Sequence, residues 1–210
     1  MNDALLSPPA VAPADQARRI LMLRLSFLAI VPLVLFTRSA WMDAHWLFDT
    51  LEVLGIFLII AGVLGRLWSI LYIGGRKNLE IVQDGPYSIC RHPLYLFSTL
   101  GVLGFGLMLG SVVMTALLGM LFFTIINRTA SREEAYLRHS LGTDYDDYAA
   151  RVPRILPRLA GFRTAPQVTF DVAVLRRNLF DALVFLSLIP LAELMEVLKE
   201  AGGFPTLALF

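Results

Sequence analysis

Residues 94–126 read LYLFSTLGVLGFGLMLGSVVMTALLGMLFFTII, thirty-three positions without one charged side chain. A membrane helix needs about 17–25 residues, so this run overshoots a single crossing and has to bend. Gly110-Ser111 lies near its middle, and the economical reading is two short helices joined by a tight turn, a hairpin that passes out through a bilayer and back. Gly101, Gly104, Gly106 and Gly110 let helix backbones approach closely. Composition agrees: 57% of the 210 residues are apolar and 17% charged, with a mean hydropathy of +0.67, too oily for a soluble domain of this size.

Working outward, Ile20 to Thr37 and Val53 to Ile73 are apolar stretches, each close to one crossing, with Arg24 and Arg66 inside them. A last oily segment, Leu179 to Leu198, contains Pro190, Glu193 and Glu196, and either spans or lies along the interface. Basic residues concentrate before the first stretch, between residues 74 and 93, and after Ile126, whereas Arg38 and Lys199 fall on the other side, with Trp41 and Trp46 placed as interfacial anchors. The expected fold is therefore an all-α, multi-pass membrane bundle of about five spans, amino terminus cytoplasmic, with a cytoplasmic-face active site formed by loops and short helices. Residues 1–17, rich in proline, lack the layout of a secretory signal and read as a flexible tail; residues 18–210 read as one domain. The basic residues form no long stripe that would suit nucleic acid. With Cys90 the single cysteine, an intrachain disulfide is impossible, and no Cys or His spacing suggests a metal site.

Two polar stretches flank the hairpin, and the hairpin brings them together. The first runs Leu79 to Tyr95, with Gly85-Pro86-Tyr87 and Arg91-His92-Pro93-x-Tyr95; the second holds Glu133-Glu134-x-x-Leu137, Gly142, Tyr145, Tyr148 and Val152-Pro153. In that order they resemble the isoprenylcysteine carboxyl methyltransferase and phospholipid methyltransferase superfamily, over about residues 60–158. The resemblance implies an S-adenosylmethionine-dependent methyltransferase whose cofactor pocket is lined by Ile81, Val82, Tyr87, His92, Pro93, Leu94, Tyr95 and Glu133. It implies a membrane lipid or another lipophilic small molecule as substrate, reached sideways from the bilayer. Isoprenylcysteine enzymes carry an arginine four positions before the first glutamate; Thr129 stands there in this chain, and the adjacent Arg128 is the candidate substrate-binding catalytic residue. A second departure is Phe97, where the family often has a small residue.

Physical chemistry accommodates this inventory. Tyrosine faces attract a sulfonium cation, arginine or histidine pairs a carboxylate, and a glutamate accepts hydrogen bonds from an amine or a ribose hydroxyl. Plainer readings stand beside these. Ser131-x-x-Glu134 has the form of a capping box, which makes Glu134 a helix-starting residue. Tyr145 and Tyr148, three apart, suit packing on one helix face as well as ligand contact. Arg66 in a span has to face protein or water, and Cys90 reads as a filler. Two rival functions remain open at this point. Membrane sterol reductases look similar in their Arg-His-Pro-x-Tyr and terminal tyrosine segments, which would mean NADPH, and a non-catalytic membrane partner would keep the scaffold alone.

Overall fold

A computed structural model describes residues 21, 28, 31, 32, 34–41, 44–76, 80–200 and 207–209. Six helices have defined bounds among them: α1 (His45–Ile73), α2 (Pro93–Met108), α3 (Val112–Leu141), α4 (Thr143–Arg151), α5 (Val172–Leu186) and α6 (Leu188–Glu200). Two three-residue strands, β1 (Thr37–Ser39) and β2 (Leu207–Leu209), pair in parallel with Thr37 opposite Leu207. The tail read into residues 1–17 lies outside the described residues, as does most of the stretch from Ile20; Thr37, expected to close that span, belongs to β1.

The hairpin forms where the sequence places it. α2 starts at Pro93, a residue suited to a first turn because its missing N–H would be unpaired there anyway. The chain then reverses through Gly110, whose φ of +65° is left-handed backbone that glycine adopts at no steric cost. Ser111 caps α3, its Oγ accepting from the Met114 N–H at 3.1 Å. α2 packs against α1 at Gly55 and Gly104: a Cβ on Gly104 would stand 2.6 Å from the Gly55 carbonyl oxygen, so only glycine permits this approach.

α1 and α3, of 29 and 30 residues, are long and apolar enough to cross a membrane. Leu54, Phe57 and Leu64 on α1, and Leu117, Met120 and Phe123 on α3, are exposed, an arrangement that suits lipid and not water. At 1.5 Å per residue α3 extends roughly 45 Å, more than the ~30 Å of a bilayer core, so its carboxyl-terminal half, from Asn127, reaches beyond and carries the second polar stretch. This corrects the capping-box reading. Ser131 and Glu134 sit inside a continuous helix, the Ser131 hydroxyl donates to the Asn127 carbonyl, and no helix starts there. The last oily segment is likewise two helices instead of one, broken at Ser187, with Pro190 in the first turn of α6, where proline is tolerated.

Candidate active site

Turning at Gly142 (φ +56°), the chain enters α4 and folds back against the projecting end of α3. Tyr145, Tyr148 and Val152 form a small core there with Leu137, Leu141 and Ile81. The next residues run beside the 85–92 segment and bond to it repeatedly: Arg91 N–H to the Pro153 carbonyl (2.9 Å), His92 N–H to that of Arg154 (3.1 Å), Arg158 N–H to that of Ile89 (3.0 Å), and Gly85 N–H to that of Arg163 (2.8 Å). Tyr148 Oη donates to the Tyr87 carbonyl at 2.9 Å. A strap of residues 153–163 thus holds the first polar stretch in place against the second.

Between them opens a small cleft. All eight residues expected to line a cofactor pocket, Ile81, Val82, Tyr87, His92, Pro93, Leu94, Tyr95 and Glu133, border this cleft, joined by Arg91, Tyr145 and Tyr148 among others. Arg128 does not. It lies exposed on α3 and does not border the cleft.

Two adjacent carboxylates organise the walls. Consecutive helix positions point about 100° apart, and Glu133 and Glu134 approach different ring nitrogens of His92, Glu133 Oε2 at 3.9 Å from Nδ1 and Glu134 Oε1 near Nε2. Glu133 Oε2 accepts from Tyr95 Oη at 2.7 Å, and the His92 ring stacks on Tyr95 with centroids 5.3 Å apart. Glu134 turns inward and is buried. Its Oε1 lies 3.0 Å from His92 Nε2, accepts from Arg154 Nε at 3.2 Å, and pairs with Arg91 Nη1 at 3.5 Å. Arg154 also reaches Asn127 Oδ1 (2.9 Å) and Ser131 Oγ (2.6 Å). Sequence reading missed the Glu134 and Arg154 roles; the available signal was the pair of adjacent acids on one helix, of which only one can face a cleft.

Tyr87 Oη is buried with no hydrogen-bond partner among the described residues, as is Arg91 Nε. Burial, then the neighbouring Tyr148 and Glu133, raises the Tyr87 hydroxyl well above the usual tyrosine range, so it remains a neutral donor able to serve a ligand. Burial also raises Tyr148. The Cys90 thiol is pushed up to about 11 by burial, against the opposing His92 backbone bond and Arg91 charge. Its Sγ donates to the Ile155 carbonyl at 3.0 Å, which agrees with a packing role. Beneath the cleft, Arg66 bonds Ser98 Oγ between α1 and α2.

An apolar helical hairpin with a polar, partly unsatisfied cleft at one end defines an enzyme-like membrane protein. Comparison with known proteins narrows the class. The pattern of the Phospholipid methyltransferase family matches residues 50–144. The chain is 34% identical over 209 residues to the cobalt-zinc-cadmium resistance protein CzcN of Cupriavidus metallidurans, covering 96% of both chains. It is 35% identical over 181 residues to the nickel-cobalt-cadmium resistance protein NccN of Alcaligenes xylosoxydans xylosoxydans, covering 86% of this chain and 84% of that one. It is also 34% identical over 87 residues to the protein-S-isoprenylcysteine O-methyltransferase of Schizosaccharomyces pombe, 40% of this chain and 37% of that one. No solved structure matches. The chain belongs to the isoprenylcysteine carboxyl methyltransferase and phospholipid methyltransferase superfamily, a group of membrane methyltransferases.

Proposed function

We propose that this protein transfers a methyl group from S-adenosylmethionine to a lipophilic or lipid-linked acceptor, a carboxylate, thiol or amine, at the cytoplasmic membrane face. The observation that carries the reading is the convergence of the eight cleft residues, from segments on either side of the hairpin, around an unpaired Tyr87 hydroxyl. When bound, the cofactor supplies a methyl group made electrophilic by a sulfonium.

The chain's own residues then have separable tasks. Tyr87 and Tyr95, backed by Tyr145 and Tyr148, offer aromatic faces to a cation, and the Tyr87 hydroxyl stays neutral. Arg91 offers a guanidinium to a carboxylate, and Glu133, held by Tyr95, accepts from an amine or ribose hydroxyl. The non-helical backbone at Ile81-Val82 presents amide groups, while Pro93 and Leu94 provide an apolar wall. His92, bonded to Glu134, fixes the stacked Tyr95 ring. In-line alignment accounts for most of the rate, and a carboxylate or thiolate acceptor needs no base from the protein.

The fission-yeast relative, named for isoprenylcysteine, supports a lipid-linked acceptor. A five-span topology with the cleft inside accords with Arg91, Arg132, Arg151, Arg154, Arg158 and Arg163 clustering at this end. The test is calorimetric binding of S-adenosylhomocysteine against NADPH to the detergent-purified protein. Selective binding of S-adenosylhomocysteine, weakened by His92→Ala and by Glu133→Ala, is expected; selective binding of NADPH would move the chain to the reductases.

A further inference from the structure

The strap that holds the cleft together also carries three large apolar side chains facing outward. Leu156 is 80% exposed, Leu159 72% and Phe162 49%. A strap at an aqueous surface gains nothing by displaying these side chains, and among them stand Arg158 and Arg163. Among the described residues neither arginine meets a carboxylate. Arg158 Nη2 donates to the Arg151 carbonyl and Arg163 Nη2 to Gln83 Oε1, so both positive charges are left uncompensated.

Contacts to α1 fix the depth at which this loop lies. The Phe162 ring packs against Trp68, with centroids 6.1 Å apart, and Tyr72 Oη bonds Thr164 Oγ1 at 2.8 Å. Trp68 lies five residues inside the end of α1 at Ile73, roughly 7 Å along the helix axis. A loop seated on that part of a membrane-crossing helix is level with the headgroup layer, not above it. Apolar side chains with interleaved arginines at that depth are the chemistry of an interfacial anchor.

We propose that residues 155–163 seat in the surface of an anionic bilayer, with Leu156, Leu159 and Phe162 in the acyl boundary and Arg158 and Arg163 against acidic phospholipid headgroups. Because the strap is hydrogen-bonded to the 85–92 segment, membrane seating and cleft geometry are one mechanical unit. The proposal rests on the membrane-embedded reading of α1, and its test separates the two.

Single cysteines at Leu159, at Leu64 on the exposed face of α1, and at Asp144 on α4 take a bimane label, while buried Cys90 stays unlabelled. Each protein is reconstituted into phosphatidylcholine vesicles carrying a small fraction of spin-labelled lipid. The expected pattern is strong quenching of the Leu159→Cys label by a spin label near the headgroup, strong quenching of Leu64→Cys by one deep in the acyl chain, and weak quenching of Asp144→Cys by either. A quenched Leu64 label with Leu159 as unaffected as Asp144 overturns the anchor; an unquenched Leu64 label overturns the membrane reading beneath it. At equal mole fraction, spin-labelled phosphatidylglycerol should quench Leu159→Cys severalfold more than spin-labelled phosphatidylcholine, with the excess abolished by Arg158→Gln together with Arg163→Gln. Equal quenching by the two lipids would refute the anionic preference.

Discussion

The two ends of the helical hairpin satisfy their polar groups in opposite ways. At the cleft end, side chains bond to other side chains: Glu134 gathers His92, Arg91 and Arg154, and Glu133 takes Tyr95. At the far end, side chains seal backbone. Ser39 Oγ donates to the Gly110 carbonyl at 2.6 Å, and Lys199 Nζ to the Val34 and Thr37 carbonyls at 2.6 and 2.7 Å. Sealing a turn spends side-chain donors on backbone carbonyls. A network of charged side chains holds walls apart and leaves Tyr87 and Arg91 with hydrogen-bonding capacity to offer a ligand. The difference predicts that damage to the far end costs stability alone, whereas damage to the cleft end also costs binding.

The largest effect should come from Glu134→Leu. Removing the carboxylate takes the buried acceptor from Arg91 and His92 and one of several partners from Arg154, and breaking a buried pair costs about 3–5 kcal/mol. Thermal unfolding in detergent should fall by many degrees, and S-adenosylhomocysteine binding should be lost with it; an unchanged midpoint would refute the hub. Gly110→Ala attacks the opposite end. The left-handed φ costs about 1–2 kcal/mol for a residue with a Cβ, and the new methyl also overlaps the Phe48 ring. Its midpoint should drop while the dissociation constant of the folded protein stays at the wild-type value. A changed constant would mean the two ends are coupled.

Glu133→Gln sharpens the contrast within the cleft. Its carboxylate accepts from Tyr95 but is not the buried hub, so stability should change little while S-adenosylhomocysteine affinity falls by about 1.5–3 kcal/mol, the scale of a hydrogen bond to a charged group. Equal losses of stability and affinity would make it a second structural carboxylate. Tyr148→Phe removes the bond to the Tyr87 carbonyl and should cost about 0.5–1.5 kcal/mol of stability, read as a lower unfolding midpoint.

Legibility in the sequence followed the range of the forces involved. The 94–126 run announced its hairpin because length against bilayer thickness, and one glycine-serine turn, are local constraints. The cleft lining was legible through the ordered motifs around that hairpin. Glu134 was misread because Ser-x-x-Glu marks a helix start only when the preceding residues are not already helical, and the continuation of α3 past Ile126 is decided by packing against α4. Arg128 was assigned by register, yet the helix turns it out of the cleft. Arg154 became visible only when the strap brought it beside Glu134, a contact that no spacing rule reports. The oily segment from Leu179 hid a break at Ser187 because hydropathy carries no information about where a helix interrupts itself.

Cys90 gives the smallest and most local test of the cleft end. A thiol reacts as thiolate, and with its pKa pushed up to about 11 only about one molecule in a thousand is ionised at pH 8, against roughly a quarter for a free cysteine. Alkylation by iodoacetamide should therefore be slow in the folded protein and fast after unfolding, and the native rate should rise about tenfold per pH unit until pH 11. The linkage has a definite sign. The unfolded thiol loses its proton near pH 8.5 while the folded one keeps it, so the unfolded state binds fewer protons and stability declines as pH rises from about 8.5 to 11. Cys90→Ala removes that part of the alkaline decline. If the native thiol instead labels at the free rate, the 85–92 segment opens readily, and the strap does not hold the cleft as the hydrogen bonds between 85–92 and 153–163 require.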